Sequence, residues 1–371
     1  MSKWDRVLIS GASGAVGSYV LRRLLASPLS SEIVCVFRSS QSYERLITEA
    51  VPEAGGRIVP LYLDLACGGI EEAASKLWSS RRCLAIHCAA DISWTKSEEV
   101  IAPLNVAGAV RFARLATALG PDETRIAMLS TAYADGVDGL HRSAYESTKL
   151  AAERALVEYG RDRLQLCILR ASLVVGASND GWIGRFNGLY PLVRLIALAD
   201  VPCVVGHADA TLDMIPIDWL CRELLDGIER LSSTQPLLRI TAAAGPAVLT
   251  LQQLVALVQA RTNLFLSRHQ RPALPEIAVL GKRQYEFLMR ASDSWGLRQR
   301  FYHLQRVMDV MHGYQVYAGE SRRITPLNTQ TVCPSPEDFL PRAIDHWLSL
   351  NAAKVLQRRR PSWLGQEETV T

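Results

Sequence analysis

Tyr145 and Lys149 are the two residues of this chain whose types and spacing best suit proton chemistry. The run Arg142–Glu158 places Leu150, Ala151, Ala152, Ala155 and Leu156 at helical intervals, which predicts an amphipathic helix. Positions four apart lie one turn above another on a helix face, so the two side chains reach one point in space. A phenol with its ordinary pKa of about 10 is a poor acid near neutrality. A neighbouring ammonium favours the phenolate and brings the tyrosine toward useful acid–base work. The same pair is also common on solvent-facing helices, so its context decides. Just upstream, Ile126–Ala132 predicts an apolar strand ending in Ser130 and Thr131. Strand C-termini are where α/β sheets place their chemistry.

The elements that must position this group begin at the N-terminus. Arg6–Ser10 predicts a short buried strand, followed by Gly11, Ser13, Gly14, Ala15, Val16 and Gly17 and then by helical spacing over Ser18–Leu25. One glycine permits the tight turn, a second lets backbone approach a pyrophosphate, and a third lets helix and sheet pack closely. The helix N-terminus then offers amide N–H groups and a positive dipole end to phosphate. The spacing is Gly-x-x-Gly-x-x-Gly, a variant of the usual dinucleotide fingerprint. The second predicted strand, Glu32–Phe37, ends at Arg38, where a dinucleotide fold meets the adenosine ribose. A guanidinium there suits a 2′-phosphate, which points to NADPH over NADH.

Arg57–Leu63 predicts a third strand, closed by Asp64 and Leu65. Cys83–Cys88 predicts a fourth, leading into Ala89 and Ala90, whose small side chains let backbone lie against a cofactor. His87 and Cys88 read as packing residues of that strand. Asn105 falls in a predicted helix over Glu98–Leu119 among apolar neighbours, and a buried amide there must find partners, such as active-site backbone. A sixth strand over Gln165–Arg170 completes an alternation of strands and helices. This predicts a Rossmann-type α/β fold, a doubly wound parallel sheet with all strand C-termini on one edge.

Beyond Gly176 the pattern changes. Asn179–Gly188 mixes turn formers with Trp182, Ile183 and Phe186, which predicts a loop over a pocket and nominates Trp182 and Phe186 as substrate contacts. Gly181, Gly184 and Gly188 would loosen that loop as a lid requires. Tyr190–Ala199 reads as helix, and Asp218 as the cap of a helix over Trp219–Arg230. Leu237–Ala243 returns to the sheet, and helices follow at Leu251–Thr262, Lys282–Ala291, Gln299–Met311 and Pro336–Leu350. The expected division is a nucleotide-binding domain over 1–180 and 207–245, with a smaller, mainly helical substrate subdomain from 181–206 and 246–371.

Composition narrows the class of function. The 371 residues are 49% hydrophobic and 21% charged, which is ordinary for a globular chain, and the net charge of +4 is too small to argue for nucleic acid. Eight cysteines show neither a Cys-x-x-Cys pair nor a partnering histidine cluster, so no disulfide framework or metal site is expected. No signal peptide or membrane span is read, and a reducing, cytoplasmic setting is expected. Contact with a membrane surface and a homodimer are both compatible with the sequence.

Gly11-x-x-Gly14-x-x-Gly17, Asp64-Leu65, Ala89-Ala90, Asn105, Ser130-Thr131 and Tyr145-x-x-x-Lys149 together resemble the extended short-chain dehydrogenase/reductase superfamily over residues 6–245. Arg38, Leu129–Tyr133, the glycine- and aromatic-containing segment at 181–188 and Leu212–Asp218 look like its fatty acyl-CoA reductase and thioester reductase branch. The resemblance implies that Tyr145 donates a proton, Thr131 polarises a carbonyl, Lys149 holds the nicotinamide ribose, Asn105 positions Lys149, and Asp64 lies near the adenine. It also implies NADPH as cofactor and an acyl thioester, on CoA or an acyl-carrier protein, as substrate. The product would be an aldehyde or an alcohol. A ketone/alcohol oxidoreductase acting on a steroid- or polyketide-like carbonyl is the alternative, and a cofactor-sensing protein without activity ranks behind both.

Overall fold

A computed structural model of the chain describes residues 4–27, 32–52, 55–77, 80–136, 140–161, 163–198, 201–294 and 322–357. Its centre is a seven-stranded parallel sheet. In chain order its elements are β1 (Arg6–Ser10), α1 (Ala15–Leu25), β2 (Ile33–Phe37), α2 (Ser40–Glu49), β3 (Ile58–Tyr62), α3 (Ile70–Ser75) and β4 (Arg82–His87). There follow α4 (Glu98–Ala102), α5 (Gly108–Leu119), β5 (Glu123–Thr131), α6 (Ala144–Gly160) and β6 (Gln165–Ala171). After β7 (Leu173–Val175), α7 (Tyr190–Leu198), β8 (Cys203–Val205), β9 (Thr211–Leu212), β10 (Met214–Pro216) and α8 (Ile217–Glu229), the chain returns to the sheet edge as β11 (Leu237–Ala242). The strand order is β11-β6-β5-β4-β1-β2-β3, the doubly wound arrangement expected from the alternation.

The strands pair because their side chains have two dry faces to fill. Along β1, Val7 and Ile9 enter one core with α1, α7 and α8, while Leu8 enters the other with Phe112, Ala113 and Leu115 of α5. This two-residue alternation with both faces buried is why the strands read as continuous apolar runs. Beyond the sheet, α9 (Leu251–Arg268) and α11 (Pro336–Leu350) pack on each other and put Leu254, Val258, Phe339 and Ile344 into the same core as Val7 and Ile9. Among the described residues no helix is long and apolar enough to cross a membrane.

Three local expectations are revised. The expected helix over Glu98–Leu119 is interrupted by a π turn, Pro103–Ala107, because Pro103 has no N–H to continue the α ladder. Asp218 caps nothing: helix α8 begins at Ile217 after Pro216, and the Asp218 carboxylate accepts from Ser178 N at 2.7 Å and Ser178 Oγ at 2.6 Å. Helix α9 runs six residues past the expected Thr262, to Arg268, since Thr262 turns its hydroxyl onto Val258 O and stays within the ladder. The helix α10 (Lys282–Ser294) covers its expected span, whereas the segment Gln299–Met311 lies outside the described residues.

Candidate active site

The C-terminal edge of the sheet opens into a cleft of about 1320 Å³. Gly11, Ser13, Gly14, Ala15, Val16, Gly17, Arg38, Asp64, Leu65, Ala89, Ala90, Thr131 and Tyr145 all line it. Lys149 and Asn105 lie behind its wall, 3% and 1% exposed. Sequence positions scattered over more than a hundred residues thus converge because parallel strands deliver their ends to one edge.

The phosphate loop is built by backbone contact. Gly11 has φ +72°, and a Cβ there would sit 2.6 Å from Ala89 N and Cys88 C. A Cβ on Gly17 would sit 2.1 Å from Gly11 O, so the loop, β4 and α1 close on one another only without side chains. Gly14 instead meets only Gly11 O, at 3.1 Å, and α1 has no side-chain cap on its first turn. That leaves amide N–H groups of a helix N-terminus facing the cleft, the local chemistry a pyrophosphate requires. Arg38, Ser39, Ser42 and Arg45 surround the far end of the cleft. The residues present therefore fit a dinucleotide.

At the other end, α6 starts with Ser143 as its cap, whose Oγ accepts from Glu146 N at 3.4 Å. One turn separates Tyr145, at the cleft surface, from the buried Lys149. Burial pushes the Tyr145 phenol up to about 12, with the Glu146 charge adding to the rise. The expected lowering by Lys149 is not seen: loss of water around the phenol leads, and both forces on it raise the pKa. Burial likewise draws the Lys149 ammonium down to about 8, against the opposing pull of Glu153 and Cys88. Glu146 itself is fully buried and is held by Arg142, Nη2 to Oε1 at 2.8 Å, which fixes the start of the helix.

Asn105 presents its amide from the π turn. Its Oδ1 accepts from Asp91 N at 2.7 Å, while Nδ2 donates to Asp91 O at 3.0 Å and Thr148 Oγ1 at 3.1 Å. It thus ties the segment after β4 to the residue preceding Lys149; its contact is Thr148 rather than Lys149 itself. His87 has the packing role expected of it, whereas Cys88, expected to pack likewise, is half-buried and also lines the cleft. His87 Nδ1 shares a 2.7 Å hydrogen bond with Ser10 Oγ and burial lowers the imidazole to about 3, while burial raises the Cys88 thiol to about 12.

Trp182 and Phe186 do not line the cleft, contrary to expectation. Trp182 lies under the Arg22 guanidinium, 4.1 Å from its ring centre, and beside Tyr19 of α1. Phe186 packs edge-on to Tyr190 at 4.7 Å and near His346 of α11. Nor do the glycines loosen this loop: a Cβ on Gly181 would meet Arg342 O at 2.2 Å, and one on Gly184 would meet Ser18 Oγ at 2.2 Å. They permit close packing, and the loop instead sends Ile183, Arg185, Asn187 and Gly188 to the cleft. Arg185, which sequence reasoning passed over, donates from Nε to Ser13 O at 2.7 Å and so buttresses the phosphate loop. Arg45, Ile92, Trp94 and Val174, which also line the cleft, carry no periodicity that would mark them.

The family described as Male sterility protein, an NAD-binding family, matches residues 9–141 and 137–224. Among curated proteins, the chain is 24% identical over 234 residues to a hybrid PKS-NRPS synthetase of Talaromyces variabilis, matching 59% of this chain and 6% of that protein. It is 28% identical over 248 residues to an isonitrile lipopeptide synthase of Streptomyces coeruleorubidus, 60% of this chain and 16% of that protein. The chain thus spans a small part of each. Among solved structures, the terminal R domain from the myxalamid PKS-NRPS biosynthetic pathway superposes with a TM-score of 0.69 at 19% identity, covering 96% of this chain and 93% of the other. A thiolation-reductase di-domain from an archaeal non-ribosomal peptide synthetase gives a TM-score of 0.67 at 15% identity, covering 95% of this chain and 76% of the other. Both share the fold.

Proposed function

The chain belongs to the Male sterility protein family, and from that premise we propose that it is an NADPH-dependent reductase of acyl thioesters. The observation that carries the reading is one cleft with a phosphate loop and cations at one end and two hydroxyls, Thr131 and Tyr145, at the other. The synthetases it resembles, and the thiolation-reductase pair that shares its fold, support a thioester on a carrier protein as the substrate.

In this reading Arg38 and Arg45 take the 2′-phosphate, the amides of Ala15 to Gly17 take the pyrophosphate, the Gly14 amide being held by Gly11 O at 2.9 Å, and Asp64 lies near the adenine. NADPH, when bound, supplies the hydride. The thioester oxygen accepts hydrogen bonds from Thr131 and Tyr145, which favour the negative charge that gathers there as the carbon becomes tetrahedral. With its phenol at about 12, Tyr145 still carries its proton at neutral pH and can deliver it to the more basic alkoxide. The Lys149 ammonium, close behind, compensates the phenolate left by that transfer and holds the nicotinamide ribose. Asn105 keeps the α6 turn in register through Thr148. The resulting hemithioacetal collapses to an aldehyde and a free thiol, and a second round gives the alcohol. Ile92, Trp94, Leu173 and Val174 offer an apolar wall for the acyl chain, which gains about 0.8 kcal/mol per buried CH₂.

The test is incubation with NADPH and a panel of acyl thioesters, on CoA and on a carrier protein, beside ketones and aldehydes, with products identified by mass. Aldehyde or alcohol together with free thiol is expected. Turnover confined to ketones, with every thioester intact, would move the chain to the ketone/alcohol oxidoreductases.

A further inference from the structure

Glu153 lies one turn beyond Lys149 on α6, so Tyr145, Lys149 and Glu153 follow one another at four-residue spacing on the same face. The carboxylate is 2% exposed and heavily bonded. Ser130 donates from Oγ to Oε1 at 2.5 Å, Arg170 Nε to Oε1 at 3.0 Å, and Arg170 Nη2 to Oε2 at 2.7 Å. Ser130 and Arg170 are register partners on β5 and β6, one residue short of Thr131 and Ala171. Arg170 also reaches Asp135, Nη1 to Oδ2 at 2.6 Å. A buried ion pair is a poor source of stability, because apolar residues of equal volume would serve as well or better. Its charge has a second neighbour to act on.

We propose that Glu153 is a positioning residue that acts through Lys149: its carboxylate ties the lysine's helix to the ends of β5 and β6 and supplies the negative charge the buried ammonium faces. The groups around Lys149 leave that task to Glu153. From the β4 end, His87 is kept neutral by burial and Cys88 is kept a thiol by burial. From its own helix, Tyr145 keeps its proton. Asn105, Thr148 and Ser130 carry no charge. Arg170 faces Glu153, Nη2 to Oε2 at 2.7 Å, and is a cation, so it cannot supply the negative charge.

The inference rests on Lys149 meeting the dinucleotide, as proposed above, and is tested without turnover. NADP⁺ binding is followed by tryptophan fluorescence between pH 6 and 10. In the wild type the affinity should fall through a midpoint near pH 8, where Lys149 loses its charge. Glu153→Gln keeps the volume and the hydrogen-bond acceptor but removes the charge, so the midpoint should drop by about one pH unit or more. Affinities should converge near pH 6. Glu153→Asp keeps the charge and should restore the midpoint to within a few tenths of the wild type's. If Glu153→Gln does not fold, the double variant with Arg170→Gln strands no buried charge and should show the same downward shift. An unmoved midpoint, an upward shift, equal behaviour of the Asp and Gln variants, or no midpoint in the wild type would each overturn the proposal. Absence of thioester turnover with these shifts intact would instead count against the reductase reading alone.

Discussion

Replacing Asn105 is the perturbation whose cost can be worked out most fully. The buried amide makes three hydrogen bonds, two to the backbone of Asp91 and one to Thr148. Each contributes roughly 0.5–1.5 kcal/mol net. Water can reach part of Asp91, which is half-buried, and recovers some of the loss there. Asn105→Ala should therefore cost about 2–4 kcal/mol of unfolding free energy. Asn105→Asp is nearly isosteric and separates shape from chemistry. One introduced oxygen can still accept from Asp91 N. The other would face two acceptors, Asp91 O and Thr148 Oγ1, whose proton already goes to Ala144 O at 2.7 Å. The introduced carboxyl is therefore favoured in its protonated form, and its pKa rises above the unfolded value of about 3.9. Between the two pKa values the native state binds more protons, so stability falls as pH rises and the deficit is complete above the folded pKa. Urea unfolding at pH 5 and pH 8, each referred to wild type, should show a deficit larger at pH 8 by about 1 kcal/mol or more. An alanine variant losing less than about 0.5 kcal/mol, or an aspartate deficit equal at both pH values, would refute the clamp.

Tyr145→Phe keeps the ring but removes the transferable proton; turnover should fall about 100- to 10,000-fold with NADPH affinity unchanged, as steady-state kinetics and fluorescence titration would show. Arg38→Ala should weaken NADPH about 10- to 100-fold more than NADH in parallel titrations, the range of a charge-assisted hydrogen bond to a 2′-phosphate. Gly17→Ala puts a Cβ 2.1 Å from Gly11 O; unfolding free energy should drop by about 1–3 kcal/mol or more, and dinucleotide binding should be lost in the same titration.

Much of this arrangement could be read from residue order, and the remainder fails for identifiable reasons. The strands of the sheet are legible because both faces are buried, and the glycine loop is legible because backbone meets backbone at Gly11 and Gly17. Tyr145 and Lys149 are legible from helical spacing only in company with the strand ending at Ser130 and Thr131 and the glycine loop. The π turn beneath Asn105 was signalled by Pro103, whose missing N–H forbids an unbroken α-helix through that point. The loop over 179–188 is different. Its aromatics have no period, so nothing local tells Trp182, which stacks on α1, from Ile183, which reaches the cleft. Glycines there looked like hinges because flexibility and close packing leave the same residue type behind. The pKa of Tyr145 was misread in direction, since spacing reveals the lysine but not the desolvation that dominates.

The central claim, hydride addition to a thioester with Tyr145 as acid, is tested most directly with NADPH deuterated at its transferable position and an acyl thioester. The expected outcome is deuterium on the former carbonyl carbon and one free thiol for each molecule taken to the aldehyde, both abolished by Tyr145→Phe. Thioesters left whole while NADPH is consumed on ketones, or deuterated product formed at full rate by Tyr145→Phe, would contradict it.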